Sequence, residues 1–341
     1  MQAAVLRRFA APIRIEHRRD PVPEPDEVLV RVAAAGLCST DLHIWQGKLP
    51  TVTLPRITGH EGAGTVVEVG SGVEGITIGD RVTISIYVTC DRCFHCRRGE
   101  ENLCLHKVRI GFERDGSHAD LVSVPAQNVV HLPASVGLDE ACILPDAVAC
   151  MLHAVRSRGR VQAGDTVVIL GGAGGLGMQG IQLVRLYGAQ VVATSRRDDK
   201  LAAAADLGAI PVNPVEHDLL GIVQDLTDGR GADVVIDNIG LPESVDCAVS
   251  LLRRGGRVVV VGYQGERLSA PFSDLVMGEK EIVGALAATK QDLRDAVTMV
   301  AEGRLRPVVA ASYPLVAINE ALSRLATMDV AGRIVLILEA A

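Results

Sequence analysis

The chain has 341 residues, enough for two domains at roughly 100–200 residues each. Its 34 Lys and Arg against 41 Asp and Glu give a formal net charge of −7, which excludes a protein that works chiefly by neutralising phosphate backbones. Hydrophobic residues at 48% and charged residues at 22% exclude disorder and fibrous repeats, and aromatics at only 3% leave the core to Val, Leu, Ile and Ala.

From Met1 to about Pro133, short β-type runs at 27–33, 64–69 and 81–88 are separated by Pro and Gly, which predicts a mostly β module. The N-terminus carries Arg and Glu where a signal peptide needs an apolar stretch. The eight cysteines are therefore read as thiols in a reducing, cytoplasmic setting rather than as a secreted disulfide framework. Near Leu138 the pattern changes: DEACILPDAVACMLHAVRSRG has helical apolar spacing, a terminal Gly159, and Pro145 to delay or kink its start. Beyond it come a strand at 166–172, a helix to Tyr187, a strand at 190–195, a helix at 201–208, a strand at 232–240, a helix at 244–252 and a strand at 257–262. Such alternation predicts parallel βαβ units, because parallel strands need a crossover and are covered on both faces. The uncharged stretch 166–184 has the length of a membrane span, but six glycines before Ile181 make strand, turn and helix the better reading. From about Ala285 the pattern is mixed, ending in a strand at 333–340.

Within VVILGGAGGLGMQGIQLVRLYG, Gly172, Gly174 and Gly177 stand in G-x-G-x-x-G register between a β-branched run and an amphipathic helix. Such glycines allow a tight turn, backbone approach to a pyrophosphate and close helix–strand packing, so Gly172, Gly174, Gly175, Leu176 and Gly177 are predicted to hold a dinucleotide at a helix N-terminus. The next strand ends at Ser195, where an NAD-selective site usually carries Asp or Glu, and continues with Arg196, Arg197 and, a turn on, Lys200. With no carboxylate to repel a 2′-phosphate and a guanidinium to bind it, NADP(H) is favoured over NAD(H). The competing reading makes Arg196 and Arg197 solvated partners of Asp198 and Asp199.

Cys90, Cys93, Cys96 and Cys104 form C-x2-C-x2-C-x7-C, four thiolates able to close a tetrahedral structural zinc shell. The ferredoxin run shares the first two spacings but closes with x3 and Pro, which this segment lacks. A second set is dispersed: Cys38 in GLCSTDLH and His60 in GHEGAG. Here the sequence resembles the zinc-dependent alcohol dehydrogenases of the medium-chain dehydrogenase/reductase superfamily. GLCSTDLH resembles that family's first catalytic-zinc segment and GHEGAGTVVEVG its second, while the four-cysteine run resembles its structural-zinc loop. The likeness continues through GFERDGSHADLV, VQAGDTVVILGGAGGLG and LLRRGGRVVVVG to AGRIVL.

The resemblance implies an α/β architecture in which a Rossmann doubly wound parallel sheet domain (151–284) is inserted in a mostly β, GroES-like catalytic domain (1–150 and 285–341). It also implies two zinc ions per chain. ILPDAVACMLHAV aligns Asp146 with the third catalytic ligand, as in bacterial NADP-dependent secondary alcohol dehydrogenases, although Cys142 and Cys150 lie four residues either side and share a helical face with it. Further implications are a proton relay through Thr40 and His43, Trp45 in the substrate pocket, Arg333 at the cofactor, and Glu61 either visiting the zinc or forming an ion pair near it. The expected activity is zinc-dependent hydride transfer between NADP(H) and an alcohol and its ketone or aldehyde. The expected form is a homo-oligomer, dimer or tetramer, with no nucleic-acid or membrane partner. Alternatives are an NAD-dependent polyol or sugar dehydrogenase, a zinc-free reductase of activated double bonds, and a non-enzymatic NADPH- or zinc-binding protein. An open metal site argues against the last.

Overall fold

A computed structural model describes residues 1–263, 267–268 and 272–338. It comprises two compact units, Met1–Ala149 with Ala288–Ala341, and Cys150–Ala287.

The first unit is built on an eleven-residue strand, Glu27–Leu37, buried along nearly its whole length because it has neighbours on both edges. Gly62–Val69 pairs antiparallel along one edge, and the other edge is shared by Leu121–Pro125 and the late strand Arg333–Ile337. Arg81–Ile84 and Val129–His131 extend the sheet on one side, and Val309–Pro314 closes it on the other. Val28, Val30, Val32, Val66, Val82, Ile84, Val122 and Val124 form its core, each burial contributing about 1.5–3 kcal/mol. In this register Leu37 faces Ile334 and Ala35 faces Gly62. The end of the central strand thus lies between the segments that carry His60 and Arg333. A smaller sheet joins Gln2–Leu6, Arg14–His17 and Arg56–Ile57.

The run expected as one strand over 81–88 divides. Arg81–Ile84 stays in the sheet, while Tyr87–Val88 turns away to pair with Val108–Arg109 at the base of the cysteine segment. Asn128 stabilises the break, its side-chain amide donating to the carbonyls of Ser85 and Tyr87 in place of a ladder partner.

The second unit has six strands, all parallel, in the spatial order Ile210–Val212, Gln190–Thr194, Thr166–Leu170, Ala232–Asp237, Leu252–Val260, Glu281–Gly284. This is a Rossmann doubly wound sheet, whose strand order reverses beside Thr166–Leu170. Val168, Val192, Val235 and Val258 lie in its core, so these strands read as continuous apolar runs instead of alternating ones. Helices Gly177–Leu186, Asp198–Asp206, Leu219–Leu226 and Pro242–Leu251 make the crossovers. The last begins two residues before the expected 244, with Pro242 in the first turn, where its missing N–H costs nothing.

The segment 138–158 is helical but irregular: Leu138–Ala141, a widened turn Leu144–Val148, Ala149–Leu152 and a second widened turn His153–Arg158. Pro145 has no N–H to donate, and the following turn closes with a long bond of 3.4 Å from Val148 N to Ile143 O. The final strand stops at Ile337, and residues 339 and 340 of the expected run lie outside the described residues. Among the described residues no helix is long and apolar enough to cross a membrane.

Candidate metal centres and dinucleotide turn

Cys38 caps helix Ser39–Trp45 where the central strand ends, and His60 and Glu61 precede strand Gly62–Val69. Asp146 lies in the widened turn and Arg333 opens the late strand. The ligand atoms of Cys38, His60, Glu61 and Asp146 all lie within 4.8 Å of one another. His60 Nε2 is 3.9 Å from Asp146 Oδ2 and 4.0 Å from Glu61 Oε1, too far for hydrogen bonds. Zinc bonds of about 2.0–2.3 Å in a tetrahedral shell separate ligand atoms by roughly 3.3–3.8 Å, so donors within 4.8 Å of one another reach a small cation after closing by about an ångström or less.

Charge supports the same fit. The carboxyls of Asp41 and Glu61 are buried and that of Asp146 half-buried beside one thiol, and Arg333 is the guanidinium among them. Burial pushes the Glu61 pKa well up; it opposes protonation of His60, but Asp41 and Asp146 outweigh it and raise that pKa, and a divalent ion would let these carboxyls ionise beside a neutral imidazole. Arg333 Nη2 lies 2.6 Å from both Glu61 Oε1 and Asp146 Oδ2, and its Nε donates to Glu61 Oε2 at 3.2 Å. Burial opposes ionisation of Asp146, yet the adjoining His60 and Arg333 outweigh it and hold the carboxyl well below the usual range. The structure therefore gives Arg333, expected at the cofactor, carboxylate partners in a buried cluster. Glu61 is its ion-pair partner as well as a member of the cluster. Cys142 points elsewhere, its thiol donating to Asp139 O at 3.2 Å, while burial pushes its pKa up.

Sequence reasoning missed Asp41. Its Oδ2 accepts from Cys38 N at 2.9 Å and its Oδ1 lies 3.5 Å from His60 Nδ1, so one carboxylate touches two residues of the donor cluster. Its place three residues after Cys38, one helical turn on, was the available signal. The Phe112 ring packs 5.3 Å from the His60 ring, and the Arg109 guanidinium covers Phe112 at 4.2 Å.

Thr40 Oγ1 lies 3.5 Å from Cys38 Sγ, and His43 stands three residues further, on the same helical side. Burial, aided by the Lys48 charge, lowers the His43 pKa and favours neutral imidazole near pH 7. Trp45 is partly buried, its indole N–H donating to Ala11 O at 2.7 Å, which anchors the helix to the N-terminal turn.

The four-cysteine segment closes on itself. Its Sγ–Sγ distances are 3.5 Å for Cys93–Cys96, 3.6 Å for Cys90–Cys104 and 4.0 Å for Cys90–Cys96, and none of these cysteines is in a disulfide. Four sulfurs about 2.3 Å from a central zinc stand roughly 3.8 Å apart, so the cage has zinc dimensions. Backbone N–H groups of Cys96 and Leu105 lower the Cys93 pKa to about 6, towards the thiolate that a metal requires. His95 pairs with Glu100 on the lobe's surface.

In the second unit the three motif glycines have different surroundings. A Cβ on Gly172 would press on Ala193, and one on Gly177 would overlap the backbone of Gly172, as close strand and helix packing requires. A Cβ on Gly174 would meet only Gly171 O at 3.4 Å, leaving room above the turn for a ligand. Gly175 and Leu176 lead into helix Gly177–Leu186. Just beneath, Asn238 has both carboxamide atoms buried without a hydrogen-bond partner, an orphan that sequence reasoning missed and a polar ligand at this strand end would satisfy. The neighbouring Asp237 is fully engaged by Ile239 N, Gly240 N and Ser244 Oγ. Arg197 is held by Asp199 at 2.7 and 3.0 Å and its N–H donates to Ser195 Oγ, whereas Arg196 is exposed and Lys200 is buried.

A Rossmann sheet with a glycine turn, together with a sheet-rich unit holding a Cys, His, Glu and Asp donor cluster and a four-cysteine cage, defines a metal-dependent, dinucleotide-using oxidoreductase. Residues 24–134 match the family described as Alcohol dehydrogenase GroES-like domain and residues 175–302 that described as Zinc-binding dehydrogenase. An alcohol dehydrogenase of Geobacillus stearothermophilus is 35% identical over 98% of this chain and 99% of its own length. Solved alcohol dehydrogenases of Aeropyrum pernix (36% identical, TM-score 0.92, covering 99% of this chain and all of the other) and Pyrobaculum aerophilum, the latter bound to cobalt and zinc (29%, TM-score 0.88, 99% of each chain), share the fold. The chain belongs to the zinc-dependent alcohol dehydrogenases of the medium-chain dehydrogenase/reductase superfamily, and it is an oxidoreductase.

Proposed function

We propose that the protein interconverts an alcohol and its ketone or aldehyde by hydride transfer with NADP(H). A catalytic zinc is held by Cys38, His60 and Asp146, and a structural zinc by Cys90, Cys93, Cys96 and Cys104. The observation that carries this reading is the convergence of the first three ligand atoms within 4.8 Å in a largely buried cluster rich in carboxyls. Zinc bound there supplies Lewis-acid polarisation of the substrate oxygen. Arg333 fixes the orientation of Asp146 and keeps Glu61 as its counter-charge, and Asp41 aligns His60. The Thr40 hydroxyl, beside Cys38, both accepts and donates, and neutral His43 takes the proton on towards solvent. Trp45 lines the pocket with the apolar side of its ring while its N–H is anchored.

Gly172, Gly174, Gly175, Leu176 and Gly177 cradle the pyrophosphate. Preference for NADP(H) rests on Ser195 in place of a carboxylate and on Arg196, exposed and with no carboxylate partner among the described residues, as the 2′-phosphate ligand; Arg197 and Lys200 support that loop. Eight free thiols suit a reducing compartment, the cytoplasm. The exposed Phe272, Val276 and Met277 leave apolar surface that assembly into a dimer or tetramer covers.

Zinc per chain and turnover of an alcohol and ketone panel with both cofactors test the proposal. The expected result is two zinc ions, one of them lost in Asp146→Ala but kept in Cys142→Ser and Cys150→Ser. The expected kcat/KM is higher with NADP(H), a preference that Arg196→Ala abolishes. Full carbonyl reduction by zinc-free protein, retention of both ions in Asp146→Ala, or a clear NAD(H) preference would each overturn the corresponding part.

A further inference from the structure

His118 lies outside the donor cluster and is completely buried. Its Nδ1 is 3.0 Å from Thr58 Oγ1 and its Nε2 is 3.4 Å from Gly36 O. A carbonyl oxygen only accepts, so Nε2 carries the proton; burial lowers the pKa of this histidine, and in the neutral ring Nδ1 accepts from the Thr58 hydroxyl. Both ring nitrogens are thereby used by one neutral tautomer. The two partners stand on different chain segments: Gly36 two residues before Cys38, Thr58 two residues before His60. Backbone bonds strengthen the same junction, since His118 N donates to Thr58 O at 3.0 Å and Gly36 N donates to Glu61 O at 3.0 Å. The ring also fills the space beside Gly59, where a Cβ would come within 2.6 Å of His118 Cδ2, and the positive φ of 97° there favours glycine independently.

We propose that His118 is a positioning residue for the metal centre: its imidazole ties the Cys38 segment to the His60 segment and sets the separation of the two donors. The proposal rests on the catalytic zinc site described above. A phenyl ring would fill the same volume but make neither bond, so the contribution is one of polarity and direction and can be separated from packing.

The test compares zinc-loaded wild type with His118→Phe, His118→Gln and Thr58→Val. The readouts are zinc per chain, the two rates of zinc release to a chromogenic chelator, and the visible absorption of the Co2+-substituted proteins. Loss of a partner bonded directly to a ligand typically weakens metal binding by about 10–100-fold, and His118 acts one residue further out. One of the two ions should therefore leave His118→Phe faster, by up to roughly tenfold, with shifted Co2+ bands, while the ion of the four-cysteine lobe leaves at the wild-type rate. His118→Gln retains a donor towards Gly36 and should fall between. Thr58→Val removes one bond only, and it decides the matter should His118→Phe fail to fold. Unchanged release and unchanged Co2+ bands in the variants that fold would overturn the inference, as would equal acceleration at both metal sites. A wild type holding only one zinc would instead overturn the underlying site.

Discussion

Gly174 and Gly177 are the same residue type in one motif, and their surroundings give opposite expectations. Gly177 has the Gly172 backbone where a Cβ would go, so Gly177→Ala should destabilise the Rossmann unit by about 1–3 kcal/mol or more and abolish cofactor binding. Gly174 has free space there and an ordinary negative φ, so Gly174→Ala should melt as wild type does yet bind the cofactor about tenfold or more weakly, about 1.4 kcal/mol. Thermal melts beside fluorescence titration with NADPH check both; normal binding in Gly174→Ala would show that the space above the turn is not the ligand's. Residue types and spacing made the four-cysteine run and the glycine turn legible in the sequence, because closed metal shells and tight turns need particular chemistry, whereas Cys38 and His60 were legible only through the family resemblance of their segments. Asp41 and the partners of Arg333 were not legible. Aspartate and arginine are ordinary surface residues until the fold buries them against something.

At the level of elements, Glu27 ties the central strand to its neighbours. Its carboxylate is the partner of Arg114 Nη2 at 2.5 Å and accepts from Ser123 Oγ at 2.6 Å. Burial opposes its ionisation, but Ser123 and Arg114 prevail and lower its pKa below the ordinary 4.5. A carboxyl with a depressed folded pKa stabilises above its unfolded pKa and loses that contribution as pH falls through the folded value. Glu27→Gln should thus cost about 1–3 kcal/mol at pH 7, and the gap to wild type should narrow below pH 4.5, read by denaturant titration at several pH values. A gap independent of pH would contradict the charge-based account. The four-cysteine lobe makes a different case, since its only helices are two three-residue turns, Cys96–Arg98 and Glu101–Leu103. Phe94 and Leu105 are exposed there, leaving the lobe little apolar core, and the proposed structural zinc would hold it together. Chelation should open it to proteolysis within 89–105 while the Rossmann strands stay protected; equal protection with and without chelator would argue against a structural metal. The parallel strands were readable as apolar runs, but the division of 81–88 was not. Its cause is Asn128, more than forty residues along, replacing ladder bonds.

Across the whole molecule the two proposed metal sites differ in how much chain they need. Four cysteines within fifteen residues can gather locally. The other cluster draws on Cys38, His60, Asp146 and Arg333, and the Arg333–Glu61 bond spans 272 residues. This long reach explains why sequence pattern alone left the last strand's destination open: pairing of Arg333–Ile337 with Glu27–Leu37 is a property of the closed sheet and has no local signature. During synthesis on a ribosome, the cysteine cage can load its ion while most of the polypeptide is still unmade. The second cluster must wait with its carboxylates uncompensated until the strand bearing the guanidinium emerges and docks. A nascent chain halted before residue 333 is therefore expected to carry one zinc firmly and to hold the other, if at all, only loosely.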